Sequence, residues 1–70
     1  MMKITLRGAR ANAGMTQDYV AKAIGVSVST VKNWEKGITF PNQPQIEKLC
    51  DLYNVPYDGL NFLPSKLTLS

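Results

Sequence analysis

The chain of 70 residues is 44% hydrophobic and carries a formal net charge of +3 at pH 7, which suits one small domain. The charge is compatible with a polyanion partner, such as nucleic acid or an anionic membrane surface, and also with a basic face that is only solvated. The chain contains no apolar run near the roughly 18 residues of a membrane span and no secretory signal, so we expect a soluble, cytoplasmic protein. The absence of histidine removes the commonest general base, and the single Cys50 excludes an internal disulfide, so we expect no enzyme, no cofactor and no metal.

The first predicted helix runs from about Thr5 to Ala13. Thr5 is suited to be its N-cap, and Gly14 follows the last turn, where a left-handed residue ends a helix most easily. Leu6, Ala9 and Ala13 recur at helical spacing and give this helix one narrow apolar side.

The second predicted helix begins after Thr16, a suitable N-cap, and has Asp18 in its first turn, where the helix dipole favours a negative charge. Its apolar face contains Val20, Ala21 and Ile24. Gly25 then ends the helix, because glycine enters a left-handed turn without steric cost.

The third predicted helix runs from Val28 to Lys36, with Ser27 as N-cap and Gly37 at its end. Val31 and Trp34 point inward from it. Two helices that cross closely need a small residue at the crossing and a glycine in the turn, and Ala21 and Gly25 meet these needs. The segment therefore predicts a helix-turn-helix.

A fourth helix is predicted from Pro44 to Tyr53, and Asn54 is placed to end it. Its apolar stripe contains Ile46, Leu49, Cys50 and Tyr53. A short fifth helix is predicted to start at Pro56 and to direct Leu60 and Leu63 towards the core. The final "SKLTLS" alternates polar and apolar residues, which is compatible with an edge strand, although an unstructured tail is favoured.

The segment "MTQDYVAKAIGVSVSTVKNWEKGITFP" resembles the core of the lambda-repressor and Cro family of DNA-binding domains, also called the XRE family. The resemblance lies in the spacing, the glycine positions and the closing Trp-Glu-Lys-Gly, and it extends from about Leu6 to Leu63. It implies an all-α fold, a compact five-helix lambda-repressor-like domain with a helix-turn-helix. We expect one DNA-binding domain over residues 1–70, with a core at about 5–63 and a short tail at 64–70.

The resemblance also implies roles for three residues. Gln17 matches a family position that hydrogen-bonds the DNA backbone and braces the recognition helix, the alternative being an ordinary exposed Gln. Arg10 and Glu35 match a pair that forms a buried ion pair between the first and third helices in some family members. Loss of one partner would leave a buried charge unpaired.

Candidate base contacts follow from the geometry of the third helix. With Val31 and Trp34 inward at 100° per residue, the outward arc contains Ser29, Lys32, Asn33 and Lys36, and Val28 lies on its border. Asn33 suits adenine, Ser29 several base edges or a phosphate, Lys32 guanine or a phosphate, and Val28 a thymine methyl. The alternatives are a solvated charge for each lysine and the edge of the core for Val28.

Backbone contacts are expected around the groove, from side chains that bond phosphate oxygens. The candidates are Thr16, Gln17, Thr30, Lys36, Thr39 and Asn42. Lys3 and Arg7 are expected to add long-range attraction.

The predicted function is a sequence-specific transcription regulator for double-stranded DNA, a phage-type Cro-like repressor that binds a palindromic operator as a homodimer. Leu60 and Phe62 are the predicted dimer contacts. The chain is either a complete Cro-like protein or the DNA-binding domain of a longer repressor. The alternative is a protein-interaction module, such as an antitoxin or an anti-repressor, for which DNA contact is secondary.

Overall fold

A computed structural model describes residues 3–62 of the chain. Along this range the elements follow one another in the order β1 (Ile4–Thr5), α1 (Leu6–Asn12), α2 (Gln17–Ile24), α3 (Val28–Lys36), α4 (Gln43–Tyr53), a single 3-10 turn (Tyr57–Gly59) and β2 (Leu60–Asn61). The described part is therefore mainly helical, with four α-helices.

Helix α1 is short and follows β1 directly. The Thr5 hydroxyl oxygen accepts a hydrogen bond from the Gly8 backbone N–H at 3.0 Å, so Thr5 is the N-cap that the sequence predicted. The helix ends at Asn12, one residue earlier than predicted. A Cβ atom on Gly8 would lie 3.1 Å from Cγ1 of Ile4, so glycine at this position allows β1 to fold closely against α1.

Helices α2 and α3 form the predicted helix-turn-helix. Thr16 and Ser27 each cap a helix by accepting a hydrogen bond from the backbone N–H three residues on. Gly25 has a φ of 90°, and the Ala21 carbonyl accepts hydrogen bonds from the N–H groups of Gly25 at 2.8 Å and Val26 at 2.9 Å. A left-handed residue here turns the chain at once into α3, and the predicted ends of both helices are confirmed.

Helix α4 begins one residue before the predicted Pro44. Asn42 is its N-cap and exchanges hydrogen bonds with Gln45, since each side chain accepts from the other residue's backbone N–H at 2.9 Å. At the other end Asn54 adopts a left-handed conformation with φ 57° and ends the helix, as predicted.

The predicted fifth helix is wrong for residues 57–62. Tyr57–Gly59 form one 3-10 turn, closed by the Gly59 N–H donating to the Pro56 carbonyl at 2.8 Å. Leu60 is then extended, and β2 pairs in parallel with β1, so that Ile4 lies opposite Leu60. Glycine in the third position of so short a turn disfavours a further helical turn. Leu63 and the tail at 64–70 lie outside the described residues.

The core receives side chains from all four helices and from β2. Its buried hydrophobic residues are Leu6, Ala9, Val20, Ala21, Ile24, Val31, Trp34, Leu49, Tyr53 and Leu60. Ala13 and Cys50 were predicted to belong to apolar faces, and both are half-buried against this core. Desolvation, followed by the charges of Asp51 and Glu47, raises the pKa of the Cys50 thiol. Within residues 3–62 no helix has the length and apolar character needed to cross a membrane.

Candidate nucleic-acid interface

The outer face of α3 is polar and accessible. Val31 and Trp34 are buried beneath it, and Ser29, Lys32 and Lys36 are exposed on the opposite side. Asn33 is half-buried at one border of this face. The helix thus presents a hydroxyl, an amide and two ammonium groups from a rigid element that is capped at both ends. We call Ser29, Lys32, Asn33 and Lys36 the outer arc of α3.

Val28 lies at the start of α3 and is only partly exposed. Its side chain packs against the core cluster, yet it is not fully buried. The two interpretations offered by the sequence, a methyl contact for thymine and a rim of the core, are therefore compatible in one side chain.

The backbone of Asn33 ties the end of α3 to the loop that follows. Its carbonyl accepts a hydrogen bond from the N–H of Ile38 at 3.0 Å and a longer one from Thr39 at 3.5 Å. Thr39, a predicted backbone contact, is exposed and is thereby held close to the C-terminal end of α3.

Glu35 is the centre of a hydrogen-bonded network that joins three helices. Arg10 Nε donates to Glu35 Oε2 at 2.7 Å and Arg10 Nη2 to Glu35 Oε1 at 3.3 Å, so the predicted pair has the two-pronged geometry of an Arg–carboxylate contact. Gln17 Nε2 donates to Glu35 Oε1 at 3.0 Å, and Arg10 Nη1 donates to the Met15 carbonyl at 3.0 Å. The side chains of Arg10 and Glu35 are 17% and 6% exposed. This network fixes α3 against α1 and the start of α2.

The pKa values of two side chains in and next to the network, Arg10 and Tyr53, are raised. The hydrogen bond that Arg10 donates to Glu35 is the main cause that raises the pKa of Arg10 further above its ordinary value. Tyr53 of α4 responds to the same pair: burial and then the Glu35 charge raise the pKa of its phenol to about 12, against a smaller opposing effect of Arg10. Both groups therefore keep one protonation state at neutral pH.

An open cavity with a volume of about 580 Å³ lies between α1, α2 and α3. We call it the basic depression. Its lining consists of Arg7, Arg10, Met15, Thr16, Gln17, Lys32, Glu35 and Lys36. Four of these side chains are cations and one is a carboxylate, so the surface attracts anions. Within residues 3–62, no group of three or more His, Cys, Asp or Glu side chains is placed to hold a metal ion.

Several predicted backbone contacts also serve as helix caps. The side-chain oxygens of Thr16 and Asn42 accept hydrogen bonds from backbone N–H groups, and Thr30 shares a hydrogen bond of 2.9 Å with the Ser27 hydroxyl. Capping uses the oxygen as acceptor. It leaves the hydroxyl hydrogen of Thr16 and the amide N–H groups of Asn42 as donors, which are what a phosphate oxygen needs.

The structure corrects one predicted dimer contact. Leu60 is 2% exposed and belongs to the core, and its strand pairs with β1. Its side chain is therefore not available to a second copy. Phe62 is half-buried against the core.

The sequence prediction did not identify two features near the interface. The first is the grouping of Arg7 with the α3 lysines in the basic depression, although Arg7 and Arg10 are three residues apart and such a pair shares one side of a helix. The second is the loop after α3, where Ile38 is 64% and Phe40 56% exposed. Two apolar residues in a loop give no periodic signal that would place them on the surface.

Comparison with known proteins identifies the family of the chain. A helix-turn-helix family model matches residues 6–60. The transcriptional repressor RstR of the cryptic phage CTXphi from Vibrio cholerae is 36% identical over 56 residues, which are 80% of this chain and 50% of RstR.

A second relative is an uncharacterised helix-turn-helix transcriptional regulator, YazB of Bacillus subtilis strain 168. It is 36% identical over 55 residues, 79% of this chain and 80% of YazB. The match thus spans half the length of RstR and most of YazB. No solved structure matches the chain. With the family model extending over both helices of the motif and the core around them, the chain belongs to the XRE-type helix-turn-helix family.

Proposed function

We propose that this chain is a sequence-specific regulator of transcription that binds double-stranded DNA and acts as a phage-type, Cro-like repressor in the cytoplasm. The observation that carries the proposal is the position of the outer arc of α3 beside the basic depression, because such an arrangement joins base-reading groups to phosphate-binding groups. The relatives support it, since RstR is described as a transcriptional repressor and YazB as a transcriptional regulator.

Base reading is assigned to the outer arc and its border. Asn33 is suited to a two-bonded contact with adenine, Ser29 to a base edge or a phosphate, and Lys32 to guanine or a phosphate. Val28 offers its exposed methyl surface to thymine. These groups lie on one side of a single α-helix, the element that a major groove admits, and the deeply buried Trp34 behind them holds that helix against the core.

Backbone contacts are assigned to side chains that surround the arc. The set is Thr16, Gln17, Thr30, Lys36, Thr39 and Asn42. Thr16, Lys36, Thr39 and Asn42 are exposed, and Gln17 and Thr30 are partly so. Gln17 uses one amide N–H for Glu35 and retains a second for a phosphate oxygen.

The proposal includes a homodimer on a palindromic operator. Paired recognition helices of this type read half-sites about 34 Å apart. Since Leu60 is buried, Phe62 remains the predicted contact in the described residues, and the single domain over residues 1–70 is the unit that dimerises.

The test is a fluorescence titration of random-sequence and selected duplexes at several salt concentrations. The selected duplex comes from enrichment of bound sequences out of a random pool, which also defines the operator. We expect tighter binding to the selected duplex and a steep loss of affinity for both duplexes between about 50 mM and 200 mM salt. Absence of binding to any duplex at low salt would refute the proposal.

A second candidate function is supported by the loop after α3. Ile38 and Phe40 are two large apolar side chains, two residues apart in this loop, that are both more than half exposed, and a second protein could cover them. In this alternative the domain is a protein-interaction module, such as an antitoxin or an anti-repressor, and DNA contact is secondary. Weak duplex binding without sequence preference in the same titration would favour it.

A further inference from the structure

The basic depression contains a cation from outside the helix-turn-helix. Arg7 lies on α1, is exposed, and has no ion pair or side-chain hydrogen bond within residues 3–62. Arg10, one turn further along the same helix, differs sharply because its guanidinium is already bonded to Glu35 and to the Met15 carbonyl. Arg7 is thus the α1 charge that remains free to meet a ligand.

The charges around Arg7 do not neutralise its positive charge. Of the side chains that line the depression, the one acid is Glu35, and its two oxygens already accept hydrogen bonds from Arg10 and Gln17. Lys32 and Lys36 face the same space from α3 and, like Arg7, are exposed. Like charges that share one concave surface repel each other, and an anion placed among them removes that repulsion.

The same two lysines link the depression to the outer arc. They line its wall and also belong to the face of α3 that is proposed to enter the major groove. A duplex that lies against this face therefore passes the mouth of the depression, and its backbone carries one negative charge for about every 1.7 Å of axis.

We propose that the basic depression seats a phosphate of the bound DNA backbone and that Arg7 contacts this phosphate directly from α1. This inference rests on the proposed DNA-binding function. With this contact, the interface includes residues of three helices. The contact from α1 stops the domain from rotating about the axis of α3 while α3 lies in the groove.

The experiment measures the affinity of the full chain for a random-sequence duplex as a function of salt, for the wild type and Arg7→Gln. Loss of one phosphate contact lowers the slope of log affinity against log salt by about 0.9. We expect this decrease for Arg7→Gln, with a several-fold loss of affinity at low salt. Arg7→Lys keeps the charge and is expected to retain most of the slope.

The matched control is Lys22→Gln, which removes an exposed cation from α2 that does not line the depression. It is expected to leave the slope unchanged. Thermal unfolding of all three variants checks that they are folded, which we expect because both positions are exposed and glutamine is a good helix former.

Equal slopes for the wild type and Arg7→Gln would overturn the inference and leave the DNA-binding function intact. Absence of duplex binding by the wild type would overturn both. A separate titration with inorganic phosphate at constant ionic strength tests a free anion as the ligand. Saturable phosphate binding below the millimolar range that is lost in Arg7→Gln, combined with equal duplex slopes for the wild type and Arg7→Gln, would show a small-anion site and overturn the assignment to DNA.

Discussion

The basic depression and the outer arc of α3 are neighbouring surfaces that share Lys32 and Lys36 but are held in different ways. The depression lies over a network in which Glu35 joins Arg10 and Gln17, so its shape depends on bonds between three helices. The arc is one face of one helix, and Ser29 has no role in that network. If the proposed DNA-binding function holds, we expect changes beneath the depression to alter folding and affinity, and changes on the arc to alter sequence discrimination.

The largest expected effect comes from the network beneath the depression. Glu35→Ala leaves the Arg10 guanidinium, which is 17% exposed, without its carboxylate. We expect a loss of about 3 kcal/mol in the free energy of unfolding, because an uncompensated, largely buried charge is costly. The thermal midpoint should then fall by more than about 10 °C for a domain of this size.

Glu47→Ala is the control for this change, since Glu47 is an exposed acid on α4 without an ion pair in the described chain. It should shift the midpoint by a degree or two. If Glu35→Ala and Glu47→Ala unfold at the same temperature, the depression does not depend on the network, and the contrast with the arc fails.

The next effect belongs to the arc. Asn33→Ala removes the proposed adenine contact, so we expect a loss of about 1–3 kcal/mol in discrimination at one position of the selected operator. Affinity for random-sequence DNA and its salt dependence should be unchanged. Competition between the selected duplex and single-base variants measures this. A uniform loss across all duplexes would place Asn33 among the backbone contacts.

A smaller effect, on pH dependence, comes from Tyr53 behind the network. Its pKa is raised to about 12 from an ordinary value of 10, so the folded state favours the neutral phenol. The stabilisation is fully present below pH 10 and is lost as the pH rises from 10 to about 12. We expect a loss of about 1–2 kcal/mol after solvent screening is allowed for.

Denaturant unfolding of the wild type and Tyr53→Phe at pH 8 and pH 11 checks this prediction. The variant lacks the titrating phenol, whereas Tyr19 and Tyr57 remain in both proteins and are exposed. The wild type should lose more stability than the variant between the two pH values. Parallel losses would show that the phenol ionises as easily in the folded state as in the unfolded chain.

The smallest effect is expected at the border of the arc. Val28→Ala removes two methyl groups that pack partly against the core, so we expect a loss of about 0.5–1.5 kcal/mol in stability. A selection from random duplexes with this variant should show a smaller change in base preference than Asn33→Ala gives. A change of preference without any loss of stability would assign Val28 to the reading face alone.

The helix-turn-helix was predictable from sequence because its signals are local. Thr16, Ser27 and Gly25 act within one turn of their own position, through side-chain caps and a left-handed backbone. The inward orientation of Val31 and Trp34 follows from helical spacing. Such features depend on the neighbours in the chain and little on the rest of the fold.

The pairing of β2 with β1 and the make-up of the basic depression were not predictable from sequence, because both depend on residues that are far apart in the chain. The extended conformation of Leu60 depends on its pairing with Ile4, 56 residues away. Most of the side chains that line the depression with Arg7 lie outside α1, and no common spacing links them along the chain. A single sequence does not show which distant residues meet, so local patterns alone predict a helix where β2 forms and predict only long-range attraction for Arg7.

The parallel pairing of β1 with β2 has a topological consequence. Because the strands are only two residues long and lie side by side, with Ile4 opposite Leu60 and Thr5 opposite Asn61, the described chain enters the pair at Ile4 and leaves it after Asn61, about 7 Å further along the strand direction. A linker of a few residues would join these two points and turn the described chain into a ring. A circular permutant joined in this way and opened in a surface loop is therefore expected to keep the same fold.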